Sequence, residues 1–118
     1  MKTWKNFLPE EFEKACPPCQ ISDMDADFMD CIQRVRSLSC IPMKINSAYR
    51  SPEYEHSKGR AGTSLHTLGR ALDIHCDNSV TRYHLVSAAL SLGELSLVIY
   101  PTFIHFDNRA IRKLMLSE

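Results

Sequence analysis

The sequence predicts an α+β domain, with helices and short antiparallel-type strands in mixed order. Three observations carry this. Two stretches, around Phe28–Leu38 and Val80–Leu92, repeat apolar residues at helical spacing. Four short stretches, at 43–48, 70–76, 95–100 and 103–107, have strand character. No repeat, low-complexity run or long linker divides the 118 residues, which fit a single domain spanning 1–118. A domain of this size buries about two-thirds of the surface its unfolded chain exposes. It can hold a core without depending on disulfides.

Residues 1–22 read as an N-terminal arm with a short helix around Pro9–Lys14, closed by Pro17 and Pro18. Next, Phe28, Cys31, Ile32, Val35 and Leu38 recur at helical spacing, with Asp30, Gln33, Arg34 and Arg36 between them. Asp23 or Asp25 is placed to cap this helix. After Pro42, Met43–Ala48 alternates in the manner of a strand. Ser51 and Pro52 form a helix-start signal, cap followed by proline at the first position. The small residues of 59–64 form a loop. Arg70–Cys76 reads as a strand through Ala71, Leu72 and Ile74. Asn78 or Ser79 caps a second long helix, apolar at Val80, Leu85, Val86, Ala89, Leu90 and Leu92 and ended by Gly93. Leu95–Tyr100 and Phe103–Asp107 are buried-type strands, and Arg109–Glu118 is expected as a short helix.

Composition removes several classes of function. Fourteen Lys and Arg balance fourteen Asp and Glu, with no dense basic run, which argues against a nucleic-acid partner. No stretch approaches the ~20 apolar residues of a membrane span. The first residues carry acids where a signal peptide is apolar, so the chain is expected to be cytoplasmic at synthesis. It would act on a cell wall only if delivered there. A monomer is expected. The five cysteines are odd in number, which argues against a disulfide framework. Cys16 and Cys19 have redox or half-zinc-site spacing but no second pair to complete a four-thiolate site. A structural turn or facultative disulfide suits them better.

Three polar residues stand out because their neighbours are apolar. Asp73 lies between Leu72 and Ile74, where an unpaired carboxylate is costly to bury. His105 lies between Ile104 and Phe106 in another strand, and His66 enters from a loop. Two imidazoles and a carboxylate form a normal catalytic zinc set, which leaves one position open. An ion there lowers the pKa of water to about 7. The residues alone leave another reading open: Asp73 caps a nearby backbone and each histidine is satisfied in the core.

Three segments resemble the M15 zinc peptidases, the D-Ala-D-Ala carboxypeptidase and L-Ala-D-Glu endopeptidase group, and within it the small phage and bacterial branch called M15A. They are Ile45 to Pro52, similar to the family's SGYRS segment; Ser64 to Asp73, which fits SxHxxGxAxD; and Tyr100 to Asp107, similar to the final histidine strand. Order and separation also match, from roughly Asn6 to Arg109. The resemblance implies a hedgehog/DD-peptidase-like fold, a small and mostly antiparallel sheet with packed helices. It implies Zn2+ held by His66, Asp73 and His105, and a peptidoglycan stem peptide as substrate. It also implies that Arg50 binds a substrate carboxylate or carbonyl, for which a planar guanidinium is suited. Ser64 would sit beside the metal and bond substrate or a ligand, and Gly69 would permit a tight turn.

One departure matters. Some family members place Glu or Asp three residues before the last histidine as general base, and here that residue is Thr102. Asp107 shares a strand face with His105, so it is expected to orient that ligand, to act as the base, or both. Glu53 and Glu55 rank behind it. Arg50 and Tyr100 are the candidate catalytic donors to the oxyanion, with core packing as the alternative for Tyr100. His75 can approach the metal from the face of Asp73, His56 can reach the cleft rim, and His84 is structural or exposed. The missing acid also favours a non-catalytic alternative, a zinc-binding or wall-binding module of the same fold.

Overall fold

A computed structural model describes residues 2–116. The elements are α1 (Pro9–Glu13), α2 (Ala26–Ser39), β1 (Ile45–Ser47), α3 (Pro52–Ser57), β2 (Ala71–His75), α4 (Ser79–Leu92), β3 (Ser96–Ile99), β4 (Phe103–Asp107) and β5 (Leu114–Leu116). Short 3-10 turns occupy Ile21–Asp23 and Leu65–Leu68. One five-stranded sheet runs in the order β1-β2-β4-β3-β5. Every neighbouring pair is antiparallel except β3 with β5. This is the α+β architecture expected from the sequence.

Both long helices begin and end on the chemistry of their caps. The Asp25 carboxylate accepts from Phe28 N at the start of α2, and Asn78 does the same for Thr81 N at the start of α4. Left-handed residues, Cys40 and Gly93, close them. The buried stripe of α2 is Phe28, Met29, Ile32 and Val35, a helical repeat. Leu38, expected in that stripe, is 54% exposed, because at 3.6 residues per turn it falls outside the sector that Phe28, Met29, Ile32 and Val35 define. On α4 the buried residues are Leu85, Ala88 and Ala89, and the two alanines let α2 pack closely against it. Val80 and Leu90, expected inside, face out.

The N-terminal segment packs into the same core. Phe7, Phe12, Ala15 and Cys19 join the cluster that holds Phe28 and Ile32. The tail corrects the expectation of a helix. Leu114–Leu116 pairs as a parallel strand along the outer edge of β3, where the β3 backbone otherwise lacks a partner. Leu97 N donates to Lys113 O at 2.9 Å, and Lys113 N donates to Ser96 Oγ at 2.7 Å. Satisfying those edge groups outweighs a weak local helix preference. Ser117 and Glu118 of the expected helix lie outside the described residues.

The sheet has two unlike faces. Leu72, Ile74, Leu97, Ile104 and Phe106 point into the hydrophobic core. Their neighbours Asp73, His105 and Asp107 point the other way, because strand side chains alternate. Ser47 joins this polar face through an irregularity in β1. Ile45 pairs with Ile74, yet Ser47 pairs with Asp73, so one extra residue is accommodated between them. Gly69 sets the entry to β2. Its φ is +68°, and its carbonyl accepts from Asp25 N at 2.9 Å. A Cβ there would strike the backbone of Asp23, Met24 and Asp25.

Gly69→Ala is therefore expected to destabilise the protein by at least about 2 kcal/mol, from the left-handed conformation and the backbone collision together. A urea titration measures this. A midpoint equal to wild type would contradict the tight packing of this turn.

Candidate metal centre

Asp73 on β2 and His105 on β4 are directly opposite in the antiparallel ladder. Opposed residues share a face, with Cβ atoms about 4.5–5.5 Å apart. His105 Nδ1 lies 2.9 Å from Asp73 Oδ1. His66, on the 3-10 turn before β2, brings Nε2 to 3.4 Å from the same oxygen. One donor atom from each residue lies within 4.8 Å of the others. The two imidazoles meet edge to face, with centroids 5.2 Å apart.

Each imidazole has its far nitrogen fixed. His66 Nδ1–H donates to the Ala48 carbonyl at 2.6 Å. A carbonyl only accepts, so Nδ1 carries a proton, and Nε2 is the nitrogen turned toward Asp73. His105 Nε2–H donates to Asp107 Oδ2 at 2.8 Å, which turns Nδ1 inward. Carboxylate and carbonyl partners on the outer nitrogen are what metal-binding histidines ordinarily have. His66 and Asp73 are almost fully buried, at 3% and 6% exposure.

The electrostatics match. Burial opposes charge on Asp73, but hydrogen bonds and charge from His105 and His66 outweigh it and hold the carboxyl well below its usual range. Burial likewise opposes charge on His105. Asp107 and Asp73, one on each nitrogen, overcome it and push its pKa up to about 9. Asp107 is desolvated too, yet Arg109 and His105 keep it ionised, far below the ordinary carboxylate value. The three inward donors, two imidazoles and one ionised carboxylate, form a compact and largely buried set, and the group fits a divalent ion.

An open cleft of about 380 Å³ exposes the donors. Arg50, Glu55, Arg60, Ser64, Tyr100 and Phe103 complete its walls. Arg50 is engaged inward. Its Nε donates to Ser47 Oγ at 2.9 Å, its Nη2 to Asp73 Oδ2 at 3.0 Å, and its Nη1 lies 3.7 Å from Glu55 Oε2. It thus supports the free oxygen of Asp73 instead of presenting an open fork. Ser64 gives its hydroxyl proton to Glu55. The ring of Tyr100 lines the cleft while stacking on Phe103, centroids 4.2 Å apart.

Asp107 sits behind His105, fully buried and away from the cleft. Arg109 reaches it from backbone N at 3.0 Å, Nε at 2.9 Å and Nη2 at 2.6 Å. Of the two roles open in the sequence, this position suits orienting His105. A proton acceptor for water would need an oxygen facing the cleft. His75 points its ring to Asp77 at 3.5 Å and is half-exposed. His56 Nε2 donates to Ala61 O at 2.9 Å, and His84 is exposed against Tyr83. The cysteines are unpaired and join no three-residue donor cluster among the described residues.

Sequence reasoning overlooked or underrated four residues here. Ser47 was readable as an inward strand position, but its partner was not. Glu55 ranked behind Asp107 as an acid, yet it is fully buried on α3 among two arginines. Arg60 lay in a loop without a motif. Arg109 follows Asp107 by two residues, a spacing that signals contact only once the strand end is known.

A family model described as Peptidase M15 matches residues 5–107. Among curated proteins the chain is similar to the peptidoglycan L,D-endopeptidase MepK of Escherichia coli K12 and of Shigella flexneri. Both are 29% identical over 102 residues, covering 79% of this chain and 56% of the relative. The chain thus spans little more than half the length of these relatives. No solved structure matches.

Two outcomes follow from the geometry. Asp107→Asn should weaken divalent-metal binding by roughly 10- to 100-fold, the usual cost of losing a carboxylate behind a liganding histidine. Competition with a chromophoric chelator measures it, and wild-type affinity would refute the role. The second concerns the metal-free protein. His105 has a folded pKa of about 9 against an ordinary 6.5, so its charged form stabilises the fold. That contribution is complete below pH 6.5 and is lost as pH rises through about 9. The thermal midpoint should fall across this window in wild type and fall less in His105→Gln. A constant difference between the two proteins across the window would contradict the assignment.

Proposed function

The chain belongs to the peptidase M15 family, and from that premise we propose that it is a zinc-dependent peptidase that cuts a peptide bond in peptidoglycan stem peptides. The observation that carries this reading is the convergence of His66, Asp73 and His105 at the floor of an open cleft. Two imidazole nitrogens and one carboxylate oxygen suit zinc in hardness and number, with room for a further partner. The name of the MepK relatives supports an endopeptidase over a carboxypeptidase.

Zinc, when bound, supplies Lewis acidity, polarising a carbonyl and making water acidic enough to attack near neutral pH. The chain's own residues prepare that chemistry. Ala48 fixes the tautomer of His66, and Asp107 fixes that of His105. Arg50 holds the outer oxygen of Asp73, which leaves the inner one for the ion. Tyr100 and Phe103 give the cleft a flat apolar wall along which a peptide can lie. Tyr100, as part of that wall, carries a phenolic hydroxyl of the kind that can donate to developing negative charge.

One observation favours a second reading, a metal-bearing module that binds wall peptide without cutting it. Among the described residues the cleft has no unengaged carboxylate to accept a proton. Asp73 belongs to the donor set, Glu55 is held by Ser64, Arg60 and Arg50, and Thr102 stands where some relatives keep an acid.

Incubating the zinc-loaded protein with purified peptidoglycan separates the two. The peptidase reading expects newly freed amines in proportion to enzyme and time. His66→Ala, or chelation, should return release to background while the wild type regains activity on adding zinc. No release from several wall types with zinc present would overturn it.

A further inference from the structure

We propose that Arg60 is the residue by which this cleft recognises a carboxylate on its peptide ligand, and that Glu55 positions it. The proposal rests on the reading of the cleft as a peptide site and names the chemistry it selects.

Two arginines line the cleft, and they differ in what they have left to offer. Arg50 spends its donors on Ser47, Asp73 and Glu55, and its side chain is only 17% exposed. Arg60 is 50% exposed and makes one side-chain bond, Nη1 to Glu55 Oε2 at 3.1 Å. Its Nε and Nη2 have no protein acceptor among the described residues. Other arginines near this face are committed elsewhere. Arg70 bonds Asn108, and Arg109 clasps Asp107. The open fork at the rim of the cleft is therefore that of Arg60.

The fork is also held in place. Arg60 N donates to the backbone oxygen of Glu55 at 2.9 Å, so backbone and side chain are tied to the same residue. Glu55 is fully buried, and its other carboxylate oxygen takes the Ser64 hydroxyl. A buried carboxylate with both oxygens engaged makes a rigid post. An arginine fixed at one Nη, with Nε and the other Nη open, offers two near-parallel N–H groups to a ligand. A carboxylate matches that edge. A carboxamide places its own N–H against one of the two donors, and it carries no charge.

NMR titration of the zinc-loaded protein tests this with three small probes that contain no stem-peptide bond. N-acetyl-D-alanine offers a terminal carboxylate, N-acetyl-D-isoglutamine a side-chain carboxylate, and N-acetyl-D-alaninamide none. At least one acid should bind roughly tenfold tighter than the amide, as expected for a charge-assisted pair, and should shift the Arg60 Nε–H resonance. The tighter acid identifies which carboxylate the cleft reads. Arg60→Gln should erase the preference, and Arg60→Lys should keep part of it. Glu55→Gln should lower the preference without changing zinc content, a result that a purely structural Glu55 would not give. Equal binding of acids and amide, or an unchanged preference in Arg60→Gln, would overturn the proposal. Because the probes are not cleaved, these outcomes stand apart from whether the protein cuts cell wall.

Discussion

The pairing of β2 with β4 decides where Asp73, His105 and Asp107 stand, and the other cleft residues are arranged around them. Asp73 opposes His105 in that ladder, and the flanking pairs Leu72–Phe106 and Ile74–Ile104 face the core. Because side chains alternate, burial of the apolar pairs forces the polar pair to the opposite face. A slip of one residue would send Asp73 and His105 into the hydrophobic core and leave Leu72 and Ile74 on the cleft floor. The cost of burying unpaired charge forbids that register. The same force that builds the core therefore aligns the site.

Buried charge is expensive, and the molecule offsets it with one arginine for each carboxylate. Asp73 has Arg50, Asp107 has Arg109, and Glu55 has Arg60 with Arg50 alongside. Removing one member of such a pair ordinarily costs about 3–5 kcal/mol, because the other is left buried and alone. These pairs are better understood as positioning devices than as sources of stability. Each aims a carboxylate oxygen or an imidazole nitrogen at the cleft or away from it. Asp107 shows the distinction. Its ionised, fully engaged carboxylate suits steering His105 and does not suit taking a proton from water.

Much of this was legible beforehand. Asp25, Asn78 and Gly93 mark helix ends because capping is local chemistry. The strands around Asp73 and His105 read directly from their apolar residues, and the motif order brought His66 to them. What failed were features that depend on tertiary partners. Leu114–Leu116 became a strand because an open edge of β3 lay nearby. Leu38 turned outward because the face of α2 that meets the core is set by Phe28, Met29, Ile32 and Val35, and Leu38 lies outside it. Glu55 and Arg60 acquired meaning only when α3 and the following loop folded over the polar face of the sheet. An irregularity in β1 placed Ser47 under Arg50, and no pattern in the sequence announces it.

The central claim is that His66, Asp73 and His105 together hold the metal, and X-ray absorption spectroscopy of the zinc-loaded protein tests it most directly. The account predicts a shell of nitrogen and oxygen neighbours alone, at about 2.0–2.2 Å, with the scattering signature of two imidazoles. The five cysteines supply the contrary outcome. A sulfur neighbour at about 2.3 Å, or a spectrum unchanged when His66 and His105 are replaced together, would place the ion elsewhere.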